Sequence, residues 1–425
     1  MRDKFNQIKI LLNNNKKIIE NYSFMTILKL LNVFFGLLVY PYALSKLGSE
    51  TYGIYILALS TIIFLTTLVR FSLDLLGTKE IVENITDLHK KSEIVSSVVF
   101  SRLLLSLVAL LILFLLQFFF VFIEEYFYIY LLCFLTCFSQ VFFHPWYFQA
   151  IQKMRIVTYI QVAFKILSLP FIFLFVKTPS DLSLFVAITM ISAFFGAVIA
   201  FIYLLKVERI KIFWVGFKTV KNYLTLSLPL FFTQIMVTIK SQSIIQFIGV
   251  YFGMHEVALY DLAQKIFNIP TMLVLSINAA IFPKFANNPS QKNINKVIKY
   301  EYIISFFCML SIIVLGKWAV LILGGEKMQE AYYILVILSF NVLFYLVIGA
   351  YHYFIFILND RADLVSKNQL IALISLIVFS TIGLSFYFSI YVFAVALVLS
   401  GMAELVYCIL KSKKITELNN LKQIL

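Results

Sequence analysis

The chain has 425 residues, of which 62% are hydrophobic, 17% aromatic and only 13% charged. A soluble domain is about 45–50% apolar and about 25% charged, so this composition excludes an ordinary soluble enzyme and places the chain in a membrane. The formal net charge of +14 does not signal nucleic acid, because Lys and Arg stand in short clusters between apolar runs, as basic cytoplasmic loops do.

In chain order, residues 1–23 form a lead in which Phe5, Ile8, Leu11, Leu12, Ile18 and Ile19 alternate with lysines. It reads as a cytoplasmic amphipathic segment on the inner membrane surface. No small-residue cleavage site follows the first apolar run, so that run is read as a retained span rather than a signal peptide. A spanning helix needs about 20 apolar residues. Spans are predicted at 24–44, 54–75, 95–120, 126–148, 157–176 and 181–204, and again at 224–249, 258–282, 299–322, 330–357, 368–388 and 391–410. Runs of this length are helices, because barrel strands would show short alternating segments. The reading is therefore an all-α membrane protein of about twelve transmembrane helices. It comprises a bundle over 24–205, a basic cytoplasmic connector over 206–223, a second bundle over 224–410 and a cytoplasmic tail over 411–425.

The loops give the orientation. The terminal segments and even-numbered loops together hold 26 Lys and Arg residues, whereas the odd-numbered loops hold only Lys46, Lys177 and Lys327. That asymmetry predicts both termini in the cytoplasm, and a missed or invented span would scramble it.

The second half echoes the first. Gly48, Tyr55 and Ala58 match Gly253, Tyr260 and Ala263 at an offset of 205, and Tyr147, Phe148, Ile151 and Arg155 match Tyr353, Phe354, Ile357 and Arg361 at 206. The repeat unit has an even number of spans, so its copies enter the membrane from the same side, as parallel repeats.

Several ionisable residues fall inside the spans, where a central charge costs about 2.5–3.5 kcal/mol on insertion scales. Arg102, Lys317 and Glu404 lie near span ends, within reach of water by snorkelling. Arg70 and Asp74, and likewise Asp261 and Lys265, are spaced four apart and so are candidate pairs on one helix face. Lys165 and Lys240 sit near mid-span and call for a hydrated interior. Lys29, Arg70, Lys165, Lys240 and Lys265 are together the candidate lining of a cationic cavity suited to an anionic substrate such as a lipid diphosphate. No phosphate loop, HExxH, GxSxG or metal-ligand spacing occurs, and the four cysteines lie in apolar runs. Neither an enzyme nor a metal or cofactor protein is predicted.

Certain segments resemble a known family. Pro41-Tyr42-Ala43-Leu44-Ser45-Lys46-Leu47-Gly48, followed by Tyr52-Gly53-Ile54-Tyr55, resembles the first loop of Wzx-type O-antigen and capsule flippases. So do Gly77-Thr78-Lys79-Glu80-Ile81, Trp146-Tyr147-Phe148-Gln149-Ala150 with Lys153-Met154-Arg155, Leu228-Pro229-Leu230-Phe231, and the run from Tyr260 to Ile281-Phe282-Pro283-Lys284. These are features of the multidrug/oligosaccharidyl-lipid/polysaccharide exporter superfamily. The resemblance implies two six-helix bundles facing each other across a cavity in the bacterial inner membrane. It implies a flippase for undecaprenyl-diphosphate-linked oligosaccharide repeat units, whose lipid stays in the bilayer while the bundles rock. A polysaccharide polymerase and a chain-length regulator are then expected partners, and Asp74 and Asp261 are candidates for ion coupling. A drug/cation antiporter of the same superfamily is the nearest alternative, but it should favour carboxylates over the cations counted here. A membrane-embedded polymerase would be expected to carry a large periplasmic loop.

Overall fold

The computed structural model describes residues 16–287 and 291–424, with some side chains near 16–32, 275–292 and 416–424 outside the described residues. Fifteen α-helices follow one another, and no strand occurs among the described residues. They are α1 Lys16–Leu47, α2 Ser49–Arg70, α3 Leu73–Glu83, α4 Leu88–Leu116, α5 Val121–Glu125, α6 Phe127–Ser139, α7 Pro145–Ala150 and α8 Met154–Phe175. After these come α9 Leu182–Lys206, α10 Phe217–Tyr251, α11 Met254–Asn287, α12 Gln291–Gly324, α13 Ala331–Tyr351, α14 Ala362–Phe386 and α15 Tyr391–Ile424.

Ten helical segments among the described residues are long and apolar enough to cross a membrane. Two expected spans fall outside that set. Phe127–Ser139 is apolar but has only 13 residues, and Met254–Asn287 is long but carries Glu256, Asp261, Lys265 and Asn278. The core is mainly apolar but holds several buried polar groups, and the outer surface is apolar as well. Arg102, Ser96, Ser97, Ser101 and Asn368 are fully buried, while Leu111, Leu174 and Ile322 are more than 60% exposed. An outer surface of large apolar side chains is what lipid as solvent selects.

Two expected single spans are broken. The segment 54–75 ends as a helix at Arg70, because Phe71 (φ 45°) and Ser72 (φ 54°) take left-handed backbone before α3 resumes. The segment 126–148 stops at Ser139 and restarts as α7 with Pro145 in its first turn. Proline forces the preceding residue out of the α region yet is at home at a helix start, and His144 accordingly sits at φ −119°, ψ 58°. At the far end the tail expected over 411–425 continues α15 without interruption to Ile424. Residues 1–15 of the expected amphipathic lead lie outside the described residues.

By packing, the chain divides into one unit of Met1–Leu47 with Ala58–Ile235 and another of Gly48–Leu57 with Met236–Leu425. The internal repeat is written in the turns. Gly48 (φ 78°) and Gly253 (φ 116°) precede α2 and α11 at the same relative position, with a backbone that a Cβ would penalise. The second echo is shifted by two residues. Gln152 (φ 57°) and Asp360 (φ 56°) are left-handed, and each is followed by the same long return bond. The Lys153 N–H donates to the Phe148 carbonyl at 2.8 Å, and the Arg361 N–H donates to the Phe356 carbonyl at 2.8 Å. The structural partner of Arg361 is therefore Lys153, not Arg155. The offset grows because α13 runs on through a π-helical turn at His352–Phe356, whereas α6 stops at Ser139.

Candidate functional site

In the first unit the break after Arg70 organises a charged centre. Turning the chain at Phe71 and Ser72 brings Asp74 back beneath Arg70, whose Nη2 and Nε donate to Asp74 Oδ2 at 2.7 and 3.2 Å. The pair thus bridges two helices instead of lying on one face. From α4, Arg102 reaches the other carboxylate oxygen with Nη2, and its Nη1 donates to the carbonyls of Gln140 and Phe143 at 2.8 and 3.0 Å. Those carbonyls belong to the turn that ends α6, so Arg102 satisfies acceptors that the broken helix leaves open. Its side chain is fully buried, which overturns the snorkelling expected from its position near a span end.

Above this centre lies a cavity of about 640 Å³. Arg70, Asp74, Thr78 and Lys79 come from one side, Trp146 and Gln149 from another, and Gln234 from α10. Two of the segments singled out in the sequence meet here. Gly77 lies so close to Trp146 that a Cβ would come within 2.7 Å of the indole. Trp146 is itself fixed by donating from Nε1 to His144 Nδ1 at 3.2 Å. α3 can approach α7 this closely only because residue 77 has no side chain.

The basic connector is docked on this unit. Backbone N–H groups of Lys211 and Phe213 donate to the hydroxyls of Ser92 and Ser96 at 3.1 and 3.2 Å. Lys153 pairs with Glu208 at 2.7 Å. Lys165, on α8, does not line the cavity; its ammonium lies 5.1 Å from the centre of the Phe35 ring, a cation–π distance. Lys29 lies on α1 with its side chain outside the described residues.

In the second unit the expected site residues fall into two separate groups of charges. Lys265 pairs with Asp261 one turn away, as the spacing predicted, and stands 5.7 Å from the Tyr52 ring. That ring is on the start of α2, which packs on the start of α11, where His255 Nδ1 and Ser49 Oγ are 2.7 Å apart. Lys240 meets Glu404 at 2.7 Å, with side chains only 14% and 6% exposed. Asn368 continues the chain, donating toward Glu404 Oε2 at 3.4 Å and lying 3.0 Å from His352 Nε2. Glu404 is thus a buried counter-ion and not a snorkelling residue. Sequence reasoning expected Lys240 at mid-span to need a hydrated interior, and missed Glu404, Asn368 and His352 as its company.

Among the described residues no group of three His, Cys, Asp or Glu side chains could hold a metal ion. All four cysteines are free thiols.

A family described as "Polysaccharide biosynthesis protein" matches residues 18–289. A protein of Escherichia coli (strain K12) named "Putative O-antigen transporter" is 21% identical over 317 residues, covering 74% of this chain and 75% of that one. One of the same name from Shigella dysenteriae is 21% identical over 313 residues, covering 71% and 78%. Among solved structures, "Lipid II flippase MurJ, inward closed conformation" aligns with TM-score 0.71 at 16% identity over 92% of this chain and 87% of that one. An inward-facing multidrug resistance MATE family transporter of the MOP superfamily aligns with TM-score 0.72 at 16% identity over 92% and 96%. The likeness to these two structures is one of fold.

Proposed function

We propose that this chain, which belongs to the polysaccharide biosynthesis protein family, is a flippase for lipid-linked oligosaccharide. In this reading it moves undecaprenyl-diphosphate-linked repeat units of a surface glycan from the cytoplasmic to the periplasmic leaflet of a bacterial inner membrane by alternating access. In this reading both termini stand in the cytoplasm, which the basic loops support. The names of its relatives and a fold shared with lipid II flippase and multidrug transporters support a carrier over a membrane enzyme.

The observation that carries the reading is the cavity of the first unit. Arg70 and Lys79 offer cations at its mouth, while Thr78, Gln149 and Gln234 offer hydroxyl and amide groups around an aromatic wall at Trp146. Guanidinium and ammonium groups suit a diphosphate, and neutral donors and acceptors against an aromatic surface suit a sugar. A cationic drug would need uncompensated negative charge. The cavity's Asp74 is instead flanked by two arginines, so its charge is more than neutralised, which disfavours the antiporter. Of the other expected site residues, Lys165, Lys240 and Lys265 do not line this cavity, the Lys29 side chain lies outside the described residues, and ion coupling at Asp74 and Asp261 stays part of the proposal.

Deleting the gene in its host and weighing the undecaprenyl-linked saccharides by mass spectrometry tests it. The expected result is a complete, unpolymerised repeat unit accumulating on the cytoplasmic side, relieved by a plasmid copy and not by an Arg70→Ala, Lys79→Ala copy. Unchanged lipid-linked saccharides with altered drug sensitivity would transfer the assignment to the antiporter.

A further inference from the structure

A second, smaller cavity of about 190 Å³ lies in the other unit, where α14 begins and α15 leaves its apolar stretch. Four cations surround it: Arg361 and Lys367 from the start of α14, and Lys411 and Lys414 from α15. Leu364 and Ile415 supply its apolar surface, and both are buried. Among the described residues, the carboxylate paired with these cations is Asp363. Asp363 accepts from Arg361 Nε at 2.8 Å and from Lys367 Nζ at 3.2 Å, leaving positive charge in excess. Lys411 stands 5.6 Å from the Tyr407 ring, and the Tyr407 hydroxyl is buried without a hydrogen-bond partner among the described residues. Four cations gathered on one small hollow repel one another unless an anion joins them, and a buried hydroxyl without a partner lacks an acceptor.

We propose that this hollow binds a phosphate group, supplied by the headgroup of an anionic phospholipid. Its volume is below the range of about 300–1,000 Å³ typical of small-molecule pockets, so it suits a phosphodiester and not a saccharide unit. Lysine is well matched to such a group, acting as a compact charge donor without fixed bidentate geometry. Its place in the chain argues for lipid over a free anion. The apolar run of α15 ends at Leu410, directly before the lysines. Val406 and Leu410, one turn apart, are 47% and 61% exposed. A headgroup held by Lys411 and Lys414 therefore leaves its acyl chains beside an apolar helix face, at the level where basic residues meet lipid headgroups. The site is independent of the transported substrate and would bind lipid in a carrier of either class.

Native mass spectrometry of the full chain, released from micelles supplied with phosphatidylglycerol or phosphatidylcholine, tests this. Wild-type protein is expected to retain phosphatidylglycerol preferentially. Lys411→Gln or Lys414→Gln should weaken that retention about fivefold each, as expected for a cation contributing about 1 kcal/mol at a lipid surface. Lys413→Gln removes an equal charge from an exposed neighbour outside the hollow and should leave retention unchanged. Equal losses from all three, or none from Lys411 and Lys414, would overturn the site. Inorganic phosphate competing with the phospholipid in a Lys411-dependent way at equal concentration would overturn the lipid assignment.

Discussion

Asp74→Asn is the sharpest perturbation of the first unit, because it changes one charge at nearly constant volume. Arg102 would keep its two carbonyl acceptors, at 2.8 and 3.0 Å, but its fully buried side chain would lose the carboxylate it pairs with. Breaking a buried pair by removing one partner costs about 3–5 kcal/mol, since the remaining charge is left uncompensated. Arg70→Gln removes the other arm of the same carboxylate, yet the Arg70 side chain is 53% exposed, and such a pair contributes about 0–1 kcal/mol. Arg102→Met should fall near Asp74→Asn, because it strands two carbonyls at about 1–3 kcal/mol each. The double variant should lose less than the sum of the two singles, as contacting residues do. Unfolding of a large membrane protein is commonly irreversible, so the assay is loss of monodisperse protein at a fixed heating rate, followed by fluorescence-detected size-exclusion chromatography. If Asp74→Asn melts with wild type, or Arg70→Gln is as damaging as Asp74→Asn, Arg102 is not held as described.

The same logic predicts that Glu404→Gln and Lys240→Met are each destabilising by about 3–5 kcal/mol, while the double variant recovers much of that loss in the same assay. Gly77→Leu should displace Trp146 and cost about 1–3 kcal/mol by overpacking, visible as a shift in tryptophan emission and lower thermal stability. Ser72→Gly removes a left-handed residue that carries about 1–2 kcal/mol of strain and should raise the melting temperature slightly, whereas Ser72→Val should lower it.

Hydropathy alone made most of the architecture legible, because lipid demands long apolar helices wherever the chain crosses. The exceptions have particular causes. The break at Phe71 and Ser72 carries no Gly, Asn or Asp to favour φ above zero, and tertiary bonding to Asp74 holds it. The break at His144-Pro145 was signalled by the proline but was hidden within a continuous apolar run. Arg102 and Glu404 were misread because distance from a span end says nothing about which way a side chain points. Glu404 finds its partner 164 residues away, a separation that no local pattern spans. The Asp261–Lys265 pair, with both members on one helix four residues apart, was readable from spacing.

The two halves repeat each other in their turns but not in their charges, and that contrast bears on what each does. Gly48 and Gly253 both take positive φ just before a helix starts, at φ 78° and 116°. The buried charges show no such matching. The first unit sets one aspartate between two arginines beside a cavity open to a ligand. The second joins a lysine and a glutamate from distant helices, with Asn368 and His352 extending the network inward. In the first, Arg70 is half exposed and free to exchange its carboxylate partner for a phosphate at little cost. In the second, neither partner can leave without stranding the other. Under the proposed function, anion recognition therefore falls to Arg70, and the buried Lys240–Glu404 pair serves as an internal brace.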